Sequence, residues 1–185
     1  LCDNSDGVID QKAAFDTTSI ESNILNGQTN ITLNYYDSNG NILPSPLPQS
    51  FSTESTSILV ELVSNINNSC ISEGIIEFEV VDNPLFDLDE QAVLCLNEAS
   101  LDLEVQNPSD NYTYHWEYVG ENNELSSVGS TSKVTISTGG IYQVTATTSG
   151  SFGCTTTKTI EVITSELAKL KDQDIIIRGF SSREN

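Results

Sequence analysis

Between residues 112 and 118 the chain reads YTYHWEY: Tyr112, Tyr114, Trp116 and Tyr118 alternate with Thr113, His115 and Glu117. Only an extended strand repeats its side-chain direction every two residues, so this stretch has one aromatic face and one polar face. The same period recurs nearby. IYQVTAT puts Tyr142, Val144 and Ala146 on one side, KTIEVI does so with Ile160 and Val162, and SLDLEV with Leu101, Leu103 and Val105. Turn signals at Asn107-Pro108, Gly120-Glu121-Asn122 and Gly139-Gly140 separate these strands. Short, half-apolar strands between such turns predict a β-sandwich, with a β-barrel as the alternative.

The N-terminal part reads less regularly. NITLNYYDSNGNIL predicts a strand, a turn over Asp37-Ser38-Asn39-Gly40 and a returning strand. LPSPLP follows; its prolines demand an extended path and forbid a central strand. SILVELV and IIEFEVV supply two more strands, and TTSIESNILNG predicts one short helix stopping at Gly27.

Four cysteines, Cys2, Cys70, Cys95 and Cys154, allow three pairings. They contain no C-x-x-C pair and the chain has one histidine, so a zinc site lacks ligands. Scattered cysteines of this kind predict structural disulfides and an oxidising compartment. Each half runs from an early cysteine, through strands, to a late cysteine before a closing strand. The economical expectation is therefore one bridge per half, Cys2 with Cys70 and Cys95 with Cys154. Each would close a loop worth about 4 kcal/mol in chain entropy. Asn83 and Pro84 break the strand pattern and set the expected boundary. The organisation expected is an Ig-like sandwich over 1–83, a second over 84–164, and a linker with the first strand of a third unit over 165–185.

Charge excludes several partners. There are 27 acidic residues against 7 basic ones, and residues 1–83 contain Lys12 as their single base. Such a field repels phosphate backbones and anionic lipid surfaces, so neither nucleic acid nor a membrane surface is an expected partner. No apolar run approaches the roughly 18 residues of a transmembrane helix. Without a methionine, even at position 1, the sequence is expected to be a fragment or a processed form.

Trp116 and GGIYQV bring the second half close to the immunoglobulin pattern. There a central Trp packs in the core and a Tyr near the start of a later strand makes a corner hydrogen bond. Two residues after Tyr142 stands Val144, not a cysteine, so any bridge lies elsewhere. LCDNSDGVIDQKAAFD and NILNGQTNITLNYYDSNGNILPSPLPQSF resemble Ig-like repeats of large surface proteins from Bacteroidota. PLFDLDEQAVLCLNEASLDLEV, YTYHWEY and GGIYQVTATTSGSFGCTTTKTIEV are similar to the repeat type that follows them. Those proteins are gliding-motility adhesins and relatives exported by the type IX secretion system, many ending in a type B sorting domain. The resemblance implies a tandem array at the cell surface that performs no chemistry. Its implied partners are neighbouring domains of the chain, secretion or outer-membrane attachment components, and surface glycans.

Candidate sites are few. Fixing Gly7 at the glycine position of an EF-hand puts Cys2 first and Ala13 last, which excludes that motif. A looser calcium cage from Asp3, Asn4, Asp6 and Asp10 is one reading of the opening loop. The leading one is an Asx-rich turn bonding its own backbone. Apart from calcium no cofactor is expected. His115 beside Glu117 lacks a nucleophile and an orienting partner, and the serines lack a G-x-S-x-G elbow. Asp87 with Asp89, and Glu77 with Glu79, fall on solvent faces without a pocket. An exposed Tyr112–Tyr114–Trp116–Tyr118 face would stack on sugars, whereas a buried one is core. The function expected is a non-enzymatic extracellular stalk or adhesin segment. The alternatives are a glycan-binding module and accessory domains of a secreted hydrolase.

Overall fold

The computed structural model describes residues 1–95 and 98–166. The expected opening of a third unit lies, beyond Glu166, outside these residues. The described chain is an all-β, Ig-like protein with one short helix and two isolated helical turns. It divides into two compact units, each discontinuous in sequence. The first comprises Leu1–Leu85, Ser109–Thr113 and Thr145–Thr156; the second comprises Phe86–Pro108, Tyr114–Val144 and 157–166.

In the first unit, strands β1 (Ala13–Asp16), β2 (Ile31–Tyr36), β3 (Ile42–Leu43), β4 (Ser50–Thr53), β5 (Thr56–Ser64) and β6 (Ile71–Phe78) form two sheets. One has the order β3-β2-β5-β6 and the other is the antiparallel pair β1-β4. Helix α1 (Ile20–Leu25) falls inside the predicted segment and ends on Asn26 in the left-handed conformation. Leu33 and Tyr35 from β2, Ile58 and Val60 from β5, and Phe78 from β6 turn inward, as alternation requires. Phe15 and Phe51, directly paired between β1 and β4, place their rings 4.9 and 5.3 Å from that of Phe78. The 44–49 segment runs outside the strands, as its prolines demand.

The predicted hairpin pairs Tyr35 with Leu43 and Tyr36 with Ile42. Asp37 holds its turn. One carboxylate oxygen accepts the backbone N–H groups of Asn39 (2.9 Å) and Asn41 (2.8 Å), and the other accepts the Asn41 side-chain amide (2.9 Å). Gly40 closes the turn at φ +81°, where a side chain would be strained. The Asn41 side-chain bond, then the backbone bonds, hold the Asp37 carboxyl below its ordinary range. A depressed folded value means the stabilisation is full above the unfolded pKa, about 3.9, and disappears as pH falls through the folded value. In an NMR titration the Asn39 and Asn41 amide shifts should hold from neutral pH to about 4 and move only below it. A midpoint above about 4 would contradict this arrangement.

Strands β7 (Gln91–Cys95), β9 (Tyr112–Val119), β10 (Leu125–Gly129), β12 (Gly140–Thr148) and β13 (Thr155–Ser165), most of whose residues belong to the second unit, make a sheet of order β10-β9-β12-β13-β7. Strands β8 (Leu101–Glu104) and β11 (Lys133–Ile136) pair separately. The edge strand β7 joins β13 in parallel, Ala92 opposite Val162. The inward set is the one alternation selects: Trp116, Val144 and Ala146 are fully buried, with Tyr142, Leu103, Val105, Ile160 and Val162 nearly so. The Trp116 indole N–H donates to the Thr131 carbonyl at 2.9 Å. The Tyr142 hydroxyl donates to the Thr138 carbonyl at 2.8 Å, which is the expected corner bond. Tyr142→Phe should lower stability by about 1 kcal/mol, read as an earlier urea midpoint at unchanged slope. An unchanged midpoint would remove the corner's role.

Candidate functional site

Cys2 is bonded to Cys154, with Cα atoms 5.5 Å apart and a separation of 152 positions in sequence. Cys70 and Cys95 are free, the first exposed and the second half-buried. The expected pairs, Cys2 with Cys70 and Cys95 with Cys154, are therefore corrected. Their geometry rules them out. Cys2 forms a parallel bridge with Val81, beyond the end of β6, while Cys70 precedes its first residue. The eight residues of β6 alone span about 26 Å. Likewise Cys95 lies opposite Ser165 at the far end of β13, and Cys154 directly precedes its start. A disulfide tolerates Cα separations of only about 4.4–6.8 Å.

The residues around the bridge are hydrogen-bonded into one cluster. Asp3 donates its backbone N–H to the Val81 carbonyl at 2.9 Å, and Val81 donates to the Leu1 carbonyl at 2.8 Å. On the other side Cys154 donates its backbone N–H to the Thr148 hydroxyl (3.0 Å), and the Thr148 N–H to the Cys154 carbonyl (2.9 Å). Asn83 spans both sides. Its side-chain oxygen accepts the Asn4 N–H at 3.1 Å, and its amide donates to the Thr155 carbonyl at 2.7 Å. The residue is 6% exposed, so both amide bonds are made away from water, where an unmade one is expensive. The sequence offered Asn83 only as a strand breaker before Pro84.

The opening loop is a folded turn, not a gathered cage. Asp3 is 2% exposed, and its Oδ1 accepts the N–H groups of Asp10 (3.0 Å) and Gln11 (2.7 Å). Asp6 accepts from Val8 and Asp10 from Lys12, each at 3.1 Å. Asn4 presents its backbone to Asn83. Three of the four residues expected to hold calcium, Asp3, Asp6 and Asp10, thus spend a carboxylate oxygen on backbone N–H groups of their own loop. Among the described residues no group of three or more His, Cys, Asp or Glu side chains converges as metal ligands would.

The remaining candidates are surface groups or core. His115 lies 3.6 Å from Glu117 with half of its side chain exposed, a weak solvent-screened contact. Asp87 pairs with Lys158 at 3.3 Å and Asp89 accepts from Gln106 at 2.6 Å, while Glu77 and Glu79 are exposed. Trp116 and Tyr114 are core residues, 0% and 7% exposed, so YTYHWEY cannot present a stacking platform. Exposed apolar surface gathers instead on the outer face of the first unit. Ile42, Tyr36, Leu59 and Ile75 stand in one register across all four strands of its larger sheet. Ile42 and Ile75 are 79% and 69% exposed, and Asp37 and Glu61 border the hollow beside the row. No helix of the described residues is long and apolar enough to cross a membrane.

No curated protein sequence matches this chain. Among solved structures, immunoglobulin domains 1–4 of Sidekick-1 are 14% identical over 75% of this chain and 44% of theirs, with a TM-score of 0.33. The present chain thus spans under half of that structure. Extracellular domains 3–5 of Drosophila OTK are 12% identical over 73% of this chain and 52% of theirs, with a TM-score of 0.41. A structure described as a Ca2+-stabilized adhesin that helps an Antarctic bacterium reach out and bind ice is 14% identical. It covers 75% of this chain and 41% of its own, with a TM-score of 0.34. Residues 1–86 match the family described as the Flavobacterium inter-domain disulphide bond domain, and Cys2, within that stretch, takes its partner Cys154 from outside it.

Proposed function

We propose that the chain is a non-enzymatic, force-bearing spacer within a longer extracellular Bacteroidota surface protein. The observation that carries this is the covalent bond between Cys2 and Cys154. A load applied to the two ends of the described chain passes from Cys2 through sulfur to Cys154. The intervening backbone is bypassed. Only the short stretch after Cys154, essentially β13, can lengthen while the bond survives. A spacer built this way keeps its length under tension even if its sandwiches unfold.

The family match over residues 1–86 supports a Flavobacterium-type surface protein, and the resemblance to type IX exported gliding adhesins supports that export route. The sequential organisation proposed, a sandwich over 1–83 and another over 84–164, puts the two cysteines in different halves. Net charge of −20 keeps neighbouring copies apart and soluble.

Single-molecule pulling between residues 1 and 166 tests the reading. At up to about 3.6 Å per extended residue, the oxidised chain should reach an end-to-end length of roughly 50 Å at most, and the reduced chain several hundred ångströms. Full extension of the oxidised chain would sink the proposal.

A further inference from the structure

We propose that a hollow of about 200 Å3 in the first unit, between α1 and the 46–49 segment, binds one ring of a neutral sugar through Tyr35 and Glu21. It goes beyond the mechanical reading and does not depend on it.

Folding leaves one hydroxyl of the first unit's core unused, that of Tyr35. Tyr35 belongs to the core of the first unit and is 1% exposed. Its ring packs as a phenylalanine would, yet among the described residues its oxygen bonds no protein group. Every side-chain polar atom sealed from solvent in those residues has a partner. The Tyr35 oxygen, which has none, must therefore reach the outside, and the hollow it lines is where it does so. The contrast with Tyr142, whose hydroxyl is tied to Thr138, is direct.

The walls define the ligand. Glu21 and Ile20, on the first turn of α1, form one side, and Leu47 and Gln49 the other. Thr17 fixes the second wall by donating its hydroxyl to the Pro48 carbonyl at 2.6 Å. Burial, and then the Glu21 charge, raise the Tyr35 pKa, so the phenol stays a hydrogen-bond donor at neutral pH. Glu21 is an acceptor and the Gln49 amide is both. A donor beside acceptors matches adjacent ring hydroxyls, each of which gives and takes one bond. Ile20 and Leu47 suit the C–H face of the ring.

Other ligand classes fit worse. The volume is below the roughly 300–1,000 Å3 of a drug-sized site and equals six or seven waters at about 30 Å3 each. Glu21 and the acidic surroundings repel uronic, sialic and sulfated sugars. A metal ion would find a single carboxylate.

The test is an NMR titration of the oxidised chain with the methyl glycosides of glucose, galactose and mannose, each to about 50 mM, and methyl glucuronide as control. At least one neutral glycoside should shift the amides of Glu21, Tyr35, Leu47 and Gln49 with a millimolar Kd. Tyr35→Phe and Glu21→Gln should each weaken binding tenfold or more, and Tyr35→Phe should melt no lower than the parent. A trisaccharide of the responding sugar separates two sources. Tighter binding than the methyl glycoside indicates a glycan chain and equal binding a single residue, and both support the site. Silence from all three neutral glycosides overturns the proposal. So do undiminished binding by Tyr35→Phe, loss of its fold, or equal binding of the glucuronide.

Discussion

Replacing Cys2 and Cys154 together by serine should destabilise the chain by about 5 kcal/mol, whereas Cys70→Ser and Cys95→Ser should change little. The large figure follows from loop length. Cross-linking residues 152 apart removes more unfolded-state freedom than either shorter loop expected from the repeat pattern, by a little under ~1 kcal/mol because the term grows only with the logarithm of loop length. For a chain of this size the double variant should melt roughly 10–20 °C lower. Reduced parent protein should melt with it, because both lose the same constraint. Peptide mapping without reductant should recover one linked pair containing Cys2 and Cys154, with Cys70 and Cys95 available to alkylation. A linked Cys2–Cys70 peptide, or a double variant as stable as the parent, would refute the arrangement. The single variant Cys154→Ser is less informative, since it leaves Cys2 able to exchange with the free thiols.

The cysteine pairing also marks where local pattern stops being informative. Alternation names the inward face of a strand correctly: Trp116, Tyr142, Val144, Ile160 and Val162 are all buried as their period requires. It names local turns too, because Asp37 and Gly40 act within their own hairpin. Both are decided by residues a few positions apart. Which strand ends meet is decided elsewhere. Cys2 reaches Val81 through a two-residue bridge too short to leave a periodic trace, and Cys154 stands at the start of β13 rather than at its end. A cysteine before a strand looks the same in sequence whichever end its partner occupies. Asn83 and Asp3 share this opacity. Asn83 was legible as a strand breaker, yet it is buried and bonded to Thr155 backbone that the sequence gives no reason to bring near; Asp3 bonds its own loop as an Asx turn does, and only its burial was hidden. Tyr35 was hidden for the opposite reason. As one residue of an alternating strand it fits the core, and only the lack of a protein partner for its hydroxyl sets it apart.

Trp116→Ala should cost the second unit about 4 kcal/mol, the other large effect. Two losses combine. The indole is fully buried among β-sheet side chains, so its removal leaves a cavity that a closely packed sandwich cannot collapse to fill. The Thr131 carbonyl also loses its donor. Trp116→Phe separates the two: it retains most of the ring volume and forfeits the hydrogen bond, and should fall well short of the alanine effect. Urea unfolding followed by far-ultraviolet circular dichroism reads all three chains, since the variants lack the single tryptophan. In the parent, Trp116 fluorescence should be blue-shifted and poorly quenched by acrylamide until the unfolding transition. Ready quenching in the native state, or an alanine variant within about 1 kcal/mol of the parent, would mean that this residue faces solvent. The aromatic strand would then return as a sugar-stacking surface, because the same alternation that buries Trp116 carries Tyr112, Tyr114 and Tyr118 on its side.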